Sequence, residues 1–494
     1  MKRISHWIDG RVTAGQSGRV GPVYNPATGE QTAEVDFASA AEVDAAIESA
    51  TGAATSWRDS SLSRRAEILF GFRELLNQRR DEVARVLTAE QGKVRTDAIG
   101  EVQRGIENVE FACGVPHLLK GEFSEQASRG IDVYSIRQPV GVVAGITPFN
   151  FPALVPMWMF ANAIACGNCF VLKPSEKDPS SSLLLAEMWR EAGLPDGVFT
   201  VVQGDREAVQ RLLEHPGIGA VSFVGSTPVA RYIYETGTKH GKRVQALAGA
   251  KNHMVVLPDA DLEMAADAAV SAGYGSSGER CMAISVVVAV GRIGDDLVDA
   301  IARRIPLIRV GPGDDPESEM GPLVTAQHRD RVASYLNEAA LGGARVVVDG
   351  RLGTPTQGFF VKPSLVDWAR PGSPVYDDEI FGPVLTVVRA ETYDEALQLV
   401  NSNPWGNGVA LFTRDGGMAR RFQLEVLAGT VGINVPIPVP VAFYSFGGWK
   451  ASLFGDASMY GPDGIRFYTR SKVVTSRWPD PSTSRVDLGF PQTR

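Results

Sequence analysis

Cysteine and histidine are scarce in this chain, which has only four and six of them among 494 residues. Four cysteines cannot supply the disulfide framework of a secreted domain, and scattered histidines offer no zinc cluster. No apolar run is long enough to span a bilayer, and no signal peptide is recognisable. The sequence therefore predicts a cytoplasmic protein with no metal site and no membrane association.

An excess of basic charge is also lacking. The formal net charge is −8 and is spread along the chain, which argues against a nucleic-acid partner. The hydrophobic fraction of 44% provides ample core material, and a chain of this length is too long for a single core. We expect two or three domains.

Short β-branched runs alternate with helical patterns from Gly141 onward, which is typical of βαβ units. The runs are VGVVAGI, FVLK, VFTVV, AVSFVG and MVVL, and, after Cys281, SVVVAV, ARVVV, VLTVV, VALF and TVGIN. The pattern predicts an α/β protein with two parallel sheets in series and a boundary near Gly249.

Two helices and two long strands complete the prediction. Helical spacing of apolar residues favours one helix over 64–87 and another over 95–114. The segments IDVYSIR and IRFYTRSKVVTSRW read as strands that pair with each other or with another subunit. The residues after Trp478 are polar and proline-rich, and they favour a loosely held tail.

Two βα turns are candidate ligand sites. No G-x-G-x-x-G motif and no P-loop is present. In SFVGSTPVARYIYETG, Ser226 or Thr227 can cap a helix whose N-terminus would suit a pyrophosphate. Lys173 and Glu176 stand just past a strand, where open α/β sheets bind ligands. Ordinary capped turns and solvated loops remain the alternatives at both places.

The sequence predicts different roles for the cysteines. Cys166 and Cys169 form a C-x-x-C pair that precedes a strand rather than opening a helix, so we expect buried packing residues. Cys281 follows the flexible stretch GSSGER, and an adjacent Arg280 can lower a thiol pKa. From these residues alone, Cys281 is either a nucleophile or a buried cysteine.

Longer motifs resemble the aldehyde dehydrogenase superfamily over nearly the whole chain. They are TPFNFPALVPMWMFANAIACGNCFVLKPSE, GSSGERCMA, DDEIFGPVL and FGGWK. Within that superfamily, TPFNFP, RVQALAGAKNHMVVLPDAD, GERCMA and EVQRGIENVEFA resemble the CoA-acylating branch that acts on methylmalonate and malonate semialdehydes.

The resemblance implies a domain organisation and an assembly. Residues 1–118 and 139–248 would form an NAD-binding Rossmann-like domain, and residues 249–447 an α/β catalytic domain. Residues 119–138 and 463–480 would form a small β oligomerisation arm, and residues 481–494 a C-terminal tail. The implied assembly is a homotetramer, a dimer of dimers.

The resemblance also implies the chemistry. Cys281 would attack the aldehyde and carry a thioester. The amide of Asn150 and the backbone N–H of Cys281 would hold the oxyanion. Lys173 and Glu176 would contact the adenosine ribose, Ser226 the pyrophosphate and Glu379 the nicotinamide ribose. The complete implied NAD set is Thr147, Phe149, Lys173, Glu176, Lys177, Ser226, Ala248 and Glu379.

The motif LAGAKN departs from the E-L-G-G-K of hydrolytic superfamily members. Lys251 fixes the register, so Leu247 stands where the glutamate that activates water would be, and Ala250 replaces a glycine. Transfer of the acyl group to coenzyme A is then favoured over hydrolysis. The alternative is a hydrolytic enzyme for another acidic aldehyde, which would use Glu279 as the base or a free water.

Two arginines are implied to hold the substrate carboxylate, Arg280 and Arg104. Arg104 lies opposite the apolar stripe of its helix, where periodicity alone favours a solvated side chain. The expected products are propionyl-CoA and acetyl-CoA, in valine or inositol catabolism. A non-catalytic relative is a third hypothesis, and the joint presence of Cys281, Asn150 and Glu379 argues against it.

Overall fold

The computed structural model describes residues 1–478, 481–483, 486 and 488–489. Within these residues no helix is long and apolar enough to cross a bilayer. The same residues contain no group of three histidine, cysteine or acidic side chains placed to hold a metal ion. Most of the predicted tail, 481–494, lies outside the described residues.

An eight-stranded sheet forms the first large layer. Its five inner strands run parallel, as buried β-branched runs between crossover helices should. The remaining three strands are antiparallel additions at the two edges. In spatial order the strands are Leu453–Phe454, Arg243–Leu247, Ile218–Val224, Val142–Ile146, Cys169–Lys173, Phe199–Val201, His6–Ile8 and Arg11–Thr13.

A seven-stranded sheet forms the second large layer. In spatial order its strands are Arg345–Val348, Ser364–Asp367, Val384–Ala390, Ile284–Val290, Asn252–Val256, Gly408–Phe412 and Thr430–Ile433. The prediction of a wholly parallel sheet is wrong at one edge, because Arg345–Val348 pairs antiparallel with its neighbour. The residues of this edge strand are exposed or only partly buried, whereas the parallel arrangement is typical of strands that are buried on both faces.

The predicted α/β fold is confirmed. The chain crosses between the two large sheets after Leu247 and before Asn252, and a short strand at Leu453 returns to the first sheet. The limits of the individual domains stay a prediction.

A three-stranded sheet stands apart from both large layers. Strand Ile131–Pro139 lies in its centre, between Phe123–Ser128 and Thr469–Arg477. The pairing with Thr469–Arg477 is antiparallel and continuous along all of both strands. The two predicted long strands therefore pair with each other. The start of the second is corrected, because residues 465–467 belong to the helix Gly461–Phe467.

Two small sheets and sixteen α-helices complete the described part of the chain. The small sheets contain Lys2–Ile4, Glu30–Asp36 and Val20–Asn25, and Trp405–Gly406 with Trp449–Lys450. The helices are Ala40–Asp59, Leu62–Gln78, Arg80–Gln91, Arg95–Cys113, Val115–Leu118, Leu154–Ala165, Ser180–Glu191, Arg206–Glu214, Thr227–Lys239, Leu262–Tyr274, Gly294–Arg304, Ala326–Leu341, Pro374–Asp377, Tyr393–Ser402, Gly416–Glu425 and Gly461–Phe467.

The single helix predicted over 64–87 is in fact two. Arg79 leaves the helical region, with φ −101° and ψ 16°. Its guanidinium then binds the carboxylate of Glu82 at 2.7 Å in the first turn of the next helix. Apolar periodicity continues across the break because both helices bury a face in the same core. The helix predicted over 95–114 is confirmed as Arg95–Cys113.

Candidate active site

Asn150 lies in the loop between the strand Val142–Ile146 and the helix Leu154–Ala165. Its side chain is buried, and its amide nitrogen donates to the carbonyl oxygen of Glu279 at 2.9 Å. An amide group has two N–H donors, so one hydrogen stays available beside the segment that carries Cys281. The structure thus brings Asn150 next to the predicted nucleophile from the opposite sheet.

Cys281 follows a tight turn at Gly275–Gly278. Ser276 and Ser277 have φ of 53° and 55°, values that residues other than glycine rarely adopt. They indicate a strained backbone that the surrounding structure maintains. Gly278 permits a close approach, because an added Cβ would lie 2.3 Å from the carbonyl oxygen of Gly382.

Two asparagine side chains hold the turn at its end. The amide nitrogens of Asn252 and Asn407 both donate to the carbonyl oxygen of Cys281, at 2.9 Å and 3.0 Å. Both donors lie at strands of the second sheet. Their two bonds fix the backbone from which the thiol projects.

A cavity of about 670 Å³ opens onto Cys281. Six of the predicted site residues besides Cys281 line it, namely Phe149, Asn150, Lys177, Ser226, Ala248 and Glu379. The cavity lies at the carboxyl ends of the strands of the first sheet, where open α/β sheets bind ligands. Its volume is in the range of cofactor pockets.

The helix Thr227–Lys239 begins at the wall of this cavity. Ser226 is its N-cap residue, yet its side chain makes no capping hydrogen bond. The predicted capping role of Ser226 is therefore corrected, and the first helical N–H groups remain open toward the cavity. Thr227 instead accepts hydrogen bonds from the Gly249 amide and the Trp405 indole, at 3.1 Å and 2.9 Å. An open helix N-terminus fits a pyrophosphate.

The remaining predicted cofactor residues stand beside the cavity rather than in its wall. Lys173 ends a buried strand and pairs with Glu176 at 3.1 Å, an ion pair that lowers the pKa of Glu176 despite its burial. Thr147 is buried and donates its backbone N–H to the carbonyl of Lys173 at 3.1 Å. Within the described part of the chain, the hydroxyl of Thr147 has no hydrogen-bond partner.

Burial controls protonation at this site. It raises the pKa of Cys281 to about 12, and the nearby Glu379 carboxylate contributes in the same direction. Burial also raises the pKa of Glu379 to about 7, opposed by the hydrogen bond from the Ala250 amide. At neutral pH the thiol is therefore protonated, and its reaction must include loss of that proton.

The two predicted substrate arginines each already have a carboxylate partner. Arg280 donates to Asp97 at 2.6 Å, and both side chains are largely buried. Arg104 donates to Glu107 at 2.6 Å and to the carbonyl oxygen of Pro440 at 2.9 Å. Asp97 and Arg104 lie seven residues apart on one face of the helix Arg95–Cys113, so the same helix face carries Arg104 and the partner of Arg280.

Leu247 and Glu279 are the two residues that the sequence connects with hydrolysis of the thioester. Leu247 is buried in the core at the end of its strand. Glu279 is also buried, and its carboxylate accepts from the Gln91 side chain at 2.9 Å and the Val324 amide at 3.3 Å. Among the described residues, neither side chain lines the cavity at Cys281. Burial raises the pKa of Glu279 to about 8.

Sequence reasoning overlooked several residues in the cavity wall. His328, Arg331 and Trp405 line the cavity, and they come from segments far from any recognised motif. The ring of His328 donates to the carbonyl of Phe381 at 2.7 Å, and burial lowers its pKa to about 4. The C-x-x-C pair is buried and free of disulfides, as predicted.

Comparison with known proteins decides the family. A model of the aldehyde dehydrogenase family matches residues 12–474. This chain belongs to the aldehyde dehydrogenase family. The match includes the second large sheet, the first large sheet apart from its strand His6–Ile8 and Arg11, the cavity and Cys281, so it covers every part of the candidate site.

Individual relatives of this aldehyde dehydrogenase are similar over their whole length. A malonate-semialdehyde dehydrogenase of Pseudomonas aeruginosa is 52% identical over 99% of this chain and 100% of its own. A methylmalonate-semialdehyde dehydrogenase structure from Sinorhizobium meliloti, complexed with NAD, has a TM-score of 0.97 and 52% identity, covering 98% of this chain and 99% of its own.

A second solved structure agrees. The methylmalonate-semialdehyde dehydrogenase of Oceanimonas doudoroffii has a TM-score of 0.96 and 53% identity, covering 98% of this aldehyde dehydrogenase and 99% of its own chain. The predicted aldehyde dehydrogenase fold is thereby confirmed.

Proposed function

We propose that this aldehyde dehydrogenase is NAD-dependent and CoA-acylating. It oxidises methylmalonate semialdehyde to propionyl-CoA and malonate semialdehyde to acetyl-CoA, with loss of CO₂, through a thioester on Cys281. The names of relatives about half identical to this chain support the substrates. The observation that carries the acylating outcome is Leu247, an aliphatic residue at the position of the water-activating glutamate.

Cys281 loses its thiol proton to water, and the thiolate sulfur then forms a bond to the aldehyde carbon while the electron pair of the carbonyl double bond moves to the oxygen as an oxyanion. The free N–H of the Asn150 amide and the backbone N–H of Cys281 hold that oxyanion, which is stabilised most where donors are fixed beforehand. Bound NAD⁺ supplies the hydride acceptor. The acyl group then remains on the Cys281 sulfur as a thioester.

The residues present fit the cofactor. The open N-terminus at Ser226 would hold the pyrophosphate, and the Lys173–Glu176 pair would hold the adenosine ribose. Glu379 lines the cavity together with Cys281 and would accept a hydrogen bond from the nicotinamide ribose. Thr147, Phe149, Lys177 and Ala248 form the wall and shell around it, with the Lys177 ammonium 4.4 Å from the centre of the Phe149 ring.

Arg104 and Arg280 orient the substrate carboxylate. Each guanidinium has five N–H donors, so bonds to Glu107, Pro440 and Asp97 leave donors for a substrate. Once the aldehyde is a thioester, its carbonyl lies β to the carboxylate and accepts the electron pair released as CO₂ leaves. The enolate so formed takes a proton from water at carbon, which gives the saturated acyl thioester. The thiol of coenzyme A then displaces Cys281.

The hydrolytic alternative has less support. Its base would be Glu279, whose carboxylate accepts from Gln91 and Val324 and does not line the cavity.

The deciding experiment follows NADH formation from each semialdehyde with and without coenzyme A, and analyses the products as acyl-CoA or free acid. Sustained turnover only with coenzyme A, and acyl-CoA as product, supports the proposal. Turnover without coenzyme A that accumulates free acid overturns the acylating step. The variant Cys281→Ala should form no NADH in either case.

We also propose a cytoplasmic homotetramer, a dimer of dimers. The three-stranded sheet supports the assembly, because Phe123 and Val473 on it are 65% and 64% exposed and large apolar side chains on a free sheet invite a partner. The free cysteines support the reducing compartment. Light scattering of the purified protein tests the tetramer, and Val473→Asp should yield smaller species.

A further inference from the structure

The two oxyanion donors come from different layers of the molecule. Asn150 belongs to the loop after a strand of the first sheet, and Cys281 precedes a strand of the second sheet. Stabilisation of an oxyanion depends on donor positions held to a few tenths of an ångström. Something must fix the distance between these two segments.

Lys93 forms a hydrogen bond to the backbone of the loop that contains Asn150. Its ammonium donates to the carbonyl oxygen of Asn150 at 2.7 Å and to Glu101 at 2.6 Å, and it lies 4.3 Å from the centre of the Phe151 ring. The side chains of Lys93 and Glu101 are both 0% exposed. All three ammonium hydrogens thus have a partner.

Glu101 holds the same segment a few residues further on. Its second oxygen accepts the backbone N–H groups of Ala153 and Leu154, at 2.9 Å and 3.1 Å. These are the first amides of a helix that has no capping side chain of its own. A carboxylate is well placed at a helix N-terminus. Lys93 and Glu101 therefore fix the loop on both sides of Phe151.

Gln91 forms a hydrogen bond to the segment that contains Glu279 and Cys281. Its side-chain nitrogen donates to the Glu279 carboxylate at 2.9 Å, and its side-chain oxygen accepts the backbone N–H of Lys93 at 3.0 Å. Between them Gly92 ends the helix with φ 96°, a conformation that suits glycine. One turn, Gln91–Lys93, consequently bonds to both donor segments, and Asn150 closes the ring by donating to Glu279.

We propose that the turn Gln91–Lys93, here called the clip, acts with Glu101 as a positioning device that sets the separation of the Asn150 amide from the Cys281 N–H. The inference rests on the proposed role of Asn150 in the reaction. Among the described residues, neither a clip residue nor Glu101 lines the cavity at Cys281, so the effect of the clip on the rate passes through the placement of Asn150.

The test uses the full-length protein and the double variant Lys93→Met/Glu101→Gln. This variant removes both charges together, and its glutamine oxygen can still accept from Ala153 and Leu154. It is compared with Asn150→Ala and with the combination of all three substitutions. The matched control is Lys242→Met, which removes another largely buried lysine that donates to backbone carbonyls, at His215 and Ile218.

Two rates are measured. Single-turnover NADH formation from malonate semialdehyde requires the oxyanion hole, whereas alkylation of Cys281 by iodoacetamide develops no oxyanion. We expect the double variant to slow NADH formation by roughly 10- to 100-fold, since a displacement of 1 Å can cost about 10² in rate. The rate of Cys281 alkylation should stay within about twofold of the wild-type rate, because that reaction does not need the oxyanion donors. Lys242→Met should change neither rate.

The combined variant decides between positioning and general damage. If the clip acts through Asn150, it should be no slower than Asn150→Ala alone, within about threefold, because residues that act as a unit are not additive. Additive losses, or equal losses in alkylation, overturn the clip but leave Asn150 in its role. An Asn150→Ala enzyme of normal rate overturns both. If the double variant does not fold, Gln91→Ala is taken through the same comparisons.

Discussion

Arg104 offers the sharpest test of substrate choice, because its removal should harm acidic substrates and little else. The side chain is 36% exposed and its partner Glu107 33% exposed. An ion pair this open to water contributes about 0–1 kcal/mol to folding. Arg104→Ala should therefore fold normally, and any change in rate reports on the substrate.

The magnitude follows from the contact that is lost. A hydrogen bond to a charged group is worth about 1.5–3 kcal/mol, and the partial exposure of Arg104 argues for the lower half of that range. Since 1.4 kcal/mol corresponds to a factor of ten, kcat/KM for malonate semialdehyde should fall by roughly 10- to 40-fold. Butanal, which lacks the carboxylate, should be oxidised at an unchanged kcat/KM.

The assay is initial-rate NADH formation with each aldehyde at saturating NAD⁺ and coenzyme A. Arg73→Ala is the matched control, since Arg73 on the helix Leu62–Gln78 is also 36% exposed and is also paired with a glutamate, Glu110, at 2.7 Å. Equal losses on malonate semialdehyde and butanal would refute the assignment of Arg104 to the carboxylate. So would a comparable loss in the Arg73→Ala enzyme.

A test of the role of Arg280 requires a double variant rather than a single substitution. Its partner Asp97 is only 18% exposed, so Arg280→Ala leaves a largely buried carboxylate without its cation. Breaking a fully buried pair costs about 3–5 kcal/mol, and a lower stability would confuse the kinetics. The double variant Asp97→Asn/Arg280→Ala avoids that unpaired charge.

Three further predictions concern protonation and hydrolysis. Leu247→Glu, but not Leu247→Gln, should add CoA-independent release of free acid, and equal release by both contradicts the role given to Leu247. Glu379→Gln should lower the pKa of Cys281, because a negative neighbour is lost, and an unchanged pH profile of iodoacetamide alkylation would refute this. Burial raises the pKa of Glu279 from 4.5 to about 8, so its ionisation opposes folding increasingly from pH 4.5 to 8. Glu279→Gln should therefore raise Tm more at pH 8 than at pH 5, and a pH-independent change in Tm contradicts it.

The sequence alone was sufficient for the α/β architecture and for the segments that carry the chemistry. Buried parallel strands are continuous β-branched runs, so strands such as Val142–Ile146 and Ile284–Val290 can be read directly. The stretch before Cys281 is rich in glycine and serine because its backbone turns sharply. Resemblance then supplied Asn150, Glu379 and the two arginines, which periodicity does not identify.

Only the tertiary structure decided which side chains are partners. Nothing local links Lys93 to Asn150, Gln91 to Glu279, or Arg280 to Asp97, since each pair joins segments distant in sequence. The sequence of the helix Arg95–Cys113 predicts that its polar face is exposed to solvent. In the structure, Glu101 and Asp97 on that face are instead buried or largely buried. Periodicity reveals that a helix has two faces, but whether the polar face meets water or buried charge depends on what the rest of the fold packs against it.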